Sequence, residues 1–534
     1  LTQKEIAAGK AHPRFSRTSK ICLFLHDNDI DEEALSALAD TQAFLSSEQE
    51  LHIQNTLELV NKGVTNYLGT RRLSFPRFFF LHDHELVLVL EHALQMHKFF
   101  DIHVRRIFPG IVSGKFLSSE EAHPVLVSIN GHGKESVTLS KYVGAGIDFF
   151  PMLSRRVQET LRETIINIKE KTTIGGGRMR LRSHEGLQIN APAHMVLLMA
   201  RTEWCMQIEG QLRAFHSRKK KTPLAPNLRR ITETTLQEST TLCSSIRKSS
   251  DHDTAMRIKA DGLLMHDLCS RDAVHGLIHK KLDSVEHYAW MTKPTMSFNR
   301  AGDSIYISMN TQRFEYGFEY SGSLGDGMTL TALHHTVDRC AWAIARATKM
   351  LHCCAFVHSR TMGRLEITKS VASLCGIFSP EVVVVPGMHE SCISRIVQGA
   401  AACACWLRVE SLRHLHSLTA TVFAQHVSSL VLAAHRSAKQ FSLDGMDVPI
   451  NYRSIFIGTE CSGPHFNSMK FPSQLREYFH GTGVVTADPL RVAELLLTSR
   501  GVENVANLLN RAGVALSTVL ARDLNIDTGV SQGS

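Results

Sequence analysis

Four short apolar runs in the second half of the chain constrain the fold more than any other feature. They are CAFVH (354–358), EVVVVP (381–386), ACACWL (402–407) and RSIFIGT (453–459), and a helical pattern follows each one. Strand–helix alternation of this kind indicates a parallel sheet, because parallel neighbours need a crossover and the crossover is usually a helix. An α/β domain is therefore expected from about residue 300 to the end.

The region before it reads differently. Residues 1–66 carry apolar side chains at three- and four-residue spacing, as do 152–170, 193–216 and 226–290. Between them, RLSFPRFFFLHDHELVLVLEHALQ (72–95) sets a proline and an aromatic cluster before a helix. VLVSI, NGHGK and SVTLS (within 124–141) read as a hairpin. The segment 304–322 turns strand-like and aromatic, so a domain boundary is placed near 290–302. The expected fold is a mostly α-helical part (1–290, helical bundles with a β-hairpin insert) and an α/β part (300–534).

The first crossover loop is the main chemical candidate. HSRTMGRL (358–365) follows a strand and opens a helix, the setting of the phosphate-binding pattern G-x-x-x-x-G-K-[ST]. That pattern works because glycines let backbone amides close on phosphates, the lysine reaches the outer phosphates and the hydroxyl holds Mg²⁺. Here His358 replaces the first glycine, Met362 a small residue, Arg364 the lysine and Leu365 the hydroxyl, while Gly363 is kept. Carboxylates for a metal and for water belong at the end of a later strand. The run 400–412 is read as that strand, with Trp406 and Leu407 at its end and Glu410 too late to serve.

Other constellations read as structure. The HDH run at 82–84 fits a polar helix start with Asp83 near the cap. Cys403 and Cys405 fit one face of a buried strand. GGG at 175–177 and SRKKKTP at 217–223 fit loops, His334 and His335 lack ligand spacing, and GMHES (387–391) lacks a nucleophile-elbow pattern. No metal site is expected.

Composition sets the outer limits. The chain has 534 residues, 43% apolar and 21% charged, which is ordinary for folded protein. A net charge of +8 is mild at this length and does not call for nucleic acid. Twelve cysteines without framework spacing suggest buried thiols in a reducing compartment. No apolar run of roughly 20 residues stands out, so no membrane partner is expected. With Leu1 first and no initiator methionine, the sequence reads as a fragment.

Several longer runs carry a resemblance. LVNKGVTNYLGTRRLSFPRFFFLHDHELVLVL (59–90), APAHMVLLMARTEWC (191–205) and DGLLMHDLCSRDAV (261–274) resemble the linker of dynein heavy chains. TQRFEYGFEYSG (311–322) and HTVDRC (335–340) are similar to the start of that family's first AAA+ module. The likeness runs in order over almost the whole chain, and the decayed loop is most similar to that of a divergent dynein heavy chain domain-containing branch.

The resemblance implies a linker followed by a truncated P-loop-type module. It lays the Walker A pattern on 358–367, where only Gly363 and Glu366 survive and Arg364 is a partial substitute; these three are the vestigial nucleotide-binding residues. It lays the Walker B acids on Trp406 and Leu407, and puts His480 where an arginine is usual. No sensor asparagine is assignable after SIFIGT. No catalytic residue and no cofactor are expected, with residual ATP or ADP binding as the alternative and an active ATP-driven motor as a third reading. Implied partners are other dynein subunits or axonemal proteins, with microtubules reached only indirectly. The implied location is cytoplasm and cytoskeleton, in a cilium or flagellum.

Overall fold

The structure is a computed structural model describing residues 47–119, 122–172, 180–217, 224–248, 254–299, 302–309, 312–322, 334–350, 353–359, 364–462, 473–483 and 489–502. The chain forms two compact units. One comprises residues 1–75 and 82–94, the other 76–81 and 95–534.

In the smaller unit, helix Ser47–Ser74 is long and largely exposed, while Leu68 and Arg72 near its end are buried. Arg72 pairs with Asp83. Helix Asp83–Glu91 begins with a reciprocal cap: His82 accepts from the backbone of His84, and Glu85 returns a bond to the backbone of His82. The HDH run is thus a helix start, as its sequence suggests. The helical pattern expected before residue 47 lies outside the described residues.

The larger unit begins with the 3₁₀ turn Pro76–Phe80 and helix Met96–Ile107. An antiparallel sheet follows in the order β1 (Ser113–Ser119), β2 (Ala122–Asn130), β3 (Ser136–Gly144). The expected hairpin is β2–β3, turning through Gly133 at φ 70°; β1 was not foreseen. Helices Phe149–Thr172, Ala193–Ser217, Leu224–Lys248 and Thr254–His279 then build the bundle. A buried polar network locks three of these helices together. Arg182 donates to both oxygens of Asp267 at 2.7 Å and to Glu203 at 3.0 Å, and Ser239 also donates to Asp267. Burial alone would raise the Asp267 carboxyl, but Arg182 holds it well below the ordinary carboxylate range.

A small antiparallel sheet, β4 (Thr295–Phe298), β5 (Ile305–Met309) and β6 (Gln312–Glu315), leads into the α/β part. There five parallel strands stand in the order β13 (Phe479–Gly483), β7 (Cys353–Ser359), β12 (Ile455–Ser462), β9 (Trp406–Glu410), β8 (Glu381–Val383). All four pairings are parallel, as the strand–helix alternation requires. Helices Glu390–Ala402 and Ser417–His435 share one core with Cys353, Ala355, Leu407, Val409 and Phe456 of the sheet. Helices His334–Met350 and Arg364–Leu374 pack on each other, and the first also contacts β7. The hairpin β10 (Gln440–Leu443) and β11 (Met446–Pro449) turns at Asp444–Gly445, both at positive φ.

Two sequence expectations need correction. One helix, Ser417–His435, is long and apolar enough by length and composition to cross a membrane. Ser, Thr, Gln and His interrupt its apolar run, and its Ala420, Phe423 and Val427 are buried in the sheet core. Cys403 and Cys405 do not share a strand. Cys403 caps helix Glu390–Ala402, and Cys405 precedes β9.

Candidate functional site

In a parallel sheet, loops at the carboxyl ends of the strands form the crevice where ligands bind. β7 runs to Ser359 and helix Arg364–Leu374 begins five residues later, so HSRTMGRL takes in the end of a strand and the start of a helix, and its residues 360–363 lie outside the described residues. Gly363 lies outside the described residues. Arg364 and Glu366 are the first and third residues of the helix, where backbone amides attract anions. His358 sits within β7 itself, level with Cys461 of β12.

The second half of the expected site moves. Trp406 and Leu407 are the first two residues of β9, and Glu410 is its last. At about 3.3 Å per residue, Trp406 lies about 13 Å from the carboxyl edge. It is level with Ile455, the first residue of β12, and neither it nor Leu407 can fill space beside the loop. Both are fully buried, Leu407 in the sheet core. Trp406 Nε1 has no hydrogen-bond partner among the described residues. The misplacement has a physical cause. AAA at 400–402 looks strand-like beside the following cysteines, but alanine is the best helix former and helix Glu390–Ala402 runs through it.

Glu410 is the carboxylate that the sequence reading passed over. It ends β9 level with Thr459 of β12, which is level in turn with Phe356 of β7. It is buried, at 8% exposure, and Ser411 behind it turns the chain with φ 60°. The signal that finds it is the alternation Trp406–Arg408–Glu410 against Leu407–Val409, which belongs to one strand ending at Glu410. Arg408 does not reach that edge: it bonds Ser379 and pairs with Glu381 at 3.3 Å. Val409 precedes Glu410 and Ser411 follows it, so no second acid adjoins it in the chain. With no lysine, no hydroxyl at Leu365 and no adjoining second acid, the residue set does not fit metal-assisted phosphoryl transfer. His480 lies exposed in β13, and the sensor loop after β12 lies outside the described residues.

A second constellation joins the helical part to the α/β part. Arg77, from FPRFFF, is buried and grips Glu319, from YGFEY, with both ends of its fork; one contact measures 2.9 Å. Its guanidinium carbon lies 4.4 Å from the Phe108 ring centroid and 4.1 Å from that of Phe378. Such a sandwich uses the planarity that distinguishes arginine from lysine. Burial pulls the Arg77 pKa down, and Glu319 outweighs it, so the guanidinium stays charged. The two runs that carry the resemblance therefore meet, 242 residues apart in sequence.

The helix behind the loop ends on the same joint. Gly376, at φ 62°, accepts from the backbone of Glu319 at 3.0 Å, and Gly317 donates to Cys375 at 3.0 Å. A Cβ on Gly376 would fall 2.6 Å from the Tyr316 ring, so only glycine permits this approach. Nearby, Tyr320 donates to Glu135 at 2.8 Å while the backbone of Ala193 donates to its other oxygen at 2.6 Å. The β-sheet insert, the bundle and the α/β part thus share one polar contact. Burial pushes the Glu135 carboxyl up.

The comparisons with known proteins agree with this architecture. Residues 15–168 match the family described as "Dynein heavy chain, N-terminal region 2", and residues 316–524 match "Hydrolytic ATP binding site of dynein motor region". The chain is 23% identical to dynein axonemal heavy chain 1 of Mus musculus over 93% of its own length and 11% of the relative's. It is 24% identical to cytoplasmic dynein 2 heavy chain 1 of Rattus norvegicus over 89% of its own length and 10% of the relative's. Against the cytoplasmic dynein heavy chain of Dictyostelium discoideum the identity is 21%, over 86% and 10%. The chain thus spans about a tenth of the length of these relatives. From the linker-type bundle, the parallel-sheet module and these matches together, the chain belongs to the dynein heavy chain family.

Proposed function

We propose that this is a motor-region section of a dynein heavy chain-like protein in which the first module serves as a structural or regulatory element and does not hydrolyse ATP. One observation carries the reading. At the carboxyl edge of the sheet β7 ends at Ser359 and a helix opens at Arg364, but His358 and Leu365 stand where a glycine and a metal-holding hydroxyl would act, and Glu410 at the end of β9 has no acid beside it in the chain. Glu410 alone does not restore the chemistry, because without a bound cation a carboxylate beside polyphosphate is repulsive.

In this role the section acts in microtubule-based movement, associated with the cytoskeleton and, by the axonemal heavy chains among its relatives, in a cilium or flagellum. Its partners are other dynein subunits or axonemal proteins, and contact with microtubules is indirect.

A second reading is favoured by Arg364 at the helix start. The helix N-terminus, Gly363 and Arg364 would hold a nucleotide without turnover. Equilibrium binding of Mg-ATP and Mg-ADP to the folded chain, beside Arg364→Ala, separates the two. No saturation at millimolar nucleotide is the expected result. Saturable binding that Arg364→Ala abolishes establishes the second reading, and turnover that Glu410→Gln removes would overturn both.

A further inference from the structure

Outside the nucleotide loop, one pair of nucleophilic groups has an arrangement that packing alone does not require. Cys403 and Cys405 flank Ala404 at the junction between helix Glu390–Ala402 and β9. The backbone N–H of Cys405 donates to the carbonyl of Cys403 at 2.6 Å, an i→i+2 turn that folds the two residues toward each other. Their thiols lie close enough to influence one another's protonation. Cys403 is half-buried and Cys405 fully buried, and both are free. The Arg77 guanidinium acts on both sulfurs.

We infer that Cys403 and Cys405 form a redox-sensitive dithiol, closed to a disulfide by a hydroperoxide, at the foot of the Arg77 joint. The roles follow from position. Cys403 is the accessible member; the Cys405 S–H and the Arg77 cation favour its thiolate, against the opposing field of the helix carboxyl end. Its pKa lies below the usual thiol value, while burial holds Cys405 protonated. The Cys403 thiolate attacks the terminal oxygen of the hydroperoxide: an S–O bond forms to give the sulfenic acid, the O–O bond breaks, and the departing alkoxide (hydroxide, from hydrogen peroxide) takes from solvent the proton that Cys403 released and leaves as alcohol or water. The Cys405 sulfur then attacks Cys403. An S–S bond forms, the S–O bond breaks, and hydroxide leaves as water with the Cys405 proton. The dithiol gives up two electrons, and the hydroperoxide accepts them.

The setting gives this step a consequence. Phe378, which stacks under Arg77, is bridged to Cys405, and Phe79 packs against Gly399 one turn before Cys403. A cross-link over three residues is strained and therefore readily reduced, which is the property of a reversible switch rather than a structural bond. Seven other described cysteines are buried, and burial pushes Cys205 up to about 11 and Cys243, Cys340, Cys353 and Cys375 up to about 12, so they are poor competitors.

The test treats the folded full chain with hydrogen peroxide, blocks remaining thiols with an alkylating agent and digests with trypsin. The peptide 396–408 contains Cys403 and Cys405 and no other cysteine. The expected result is loss of both alkylation sites with an internal disulfide in that peptide, reversed by dithiothreitol, while half-buried Cys392 does not enter a disulfide. In Cys405→Ala, a sulfenic acid should accumulate at Cys403 and be trapped by dimedone; in Cys403→Ala, Cys405 should stay reduced. Full alkylation of both thiols after peroxide overturns the proposal. So does a Cys403 sulfenic acid that persists in the unaltered chain, or a disulfide to any other cysteine.

Discussion

The carboxyl edge of the sheet and the Arg77 joint lie at opposite ends of one helix, and they differ in what they retain. Helix Arg364–Leu374 begins at the phosphate-type loop and is followed by Gly376, whose carbonyl holds Glu319. At the loop end, the residues that matter for chemistry depart from the pattern one by one. At the joint end, a buried arginine fork, a carboxylate and two stacked rings are all present and mutually satisfied. The contrast is between an edge whose local residues depart from the nucleotide-binding pattern and a joint whose buried partners are all in place. A buried ion pair does not tolerate loss of one partner.

The largest effect should come from breaking the joint. Arg77→Ala strands Glu319 and both rings and should cost about 3–5 kcal/mol of stability by urea denaturation. Arg77→Lys keeps the charge without the planar fork and should recover only part of this. An Arg77→Ala chain as stable as the unaltered one would erase the contrast between the two ends.

Next in size is a pH effect beside the joint. His194 is buried against the Tyr320 ring, and burial lowers its pKa from 6.5 to about 3. The folded state therefore favours the neutral imidazole. Its stabilising contribution is complete above pH 6.5 and is lost as pH falls toward 3, on the order of 4 kcal/mol in all. Glu135 works in the opposite sense, since its raised pKa favours the fold at low pH and that contribution fades as pH rises. Stability measured from pH 7 to 4 should fall less steeply in His194→Phe than in the unaltered chain, and equal slopes would remove His194 from the account.

A smaller steric effect separates glycines of the joint from glycines elsewhere. A Cβ on Gly399 would lie 2.5 Å from that of Phe79, so Gly399→Ala should cost about 1–3 kcal/mol. Gly210, in helix Ala193–Ser217, has open space and helical backbone, so Gly210→Ala should stabilise by about 0.5–1 kcal/mol. The smallest effect belongs to the loop. Millimolar Mg-ATP should leave the melting midpoint unmoved, and an upward shift that grows with concentration would show a working site.

Local pattern was enough for the element types. Alternating apolar runs with helices between them specify the parallel sheet, and three- and four-residue spacing specifies the bundle, because side-chain period is a property of a single strand or helix. The missing loop chemistry is equally local: His358, Arg364 and Leu365 are read from adjacent positions. The strand boundary at Trp406 was not legible, since an alanine-rich run suits a helix end and a buried strand alike, and tertiary contacts decide between them. Moving that boundary carried Trp406 and Leu407 away from the edge and brought Glu410 to it. Nor could spacing pair Arg77 with Glu319 across 242 residues, or set Gly376 beneath Tyr316. By itself the sequence determined most of the helices, the strands of the parallel sheet and which chemical groups the loop lacks. Tertiary structure alone decided which strand residue reaches the carboxyl edge and which distant side chains share a desolvated joint, because register and long-range burial depend on elements that become neighbours only in the folded chain.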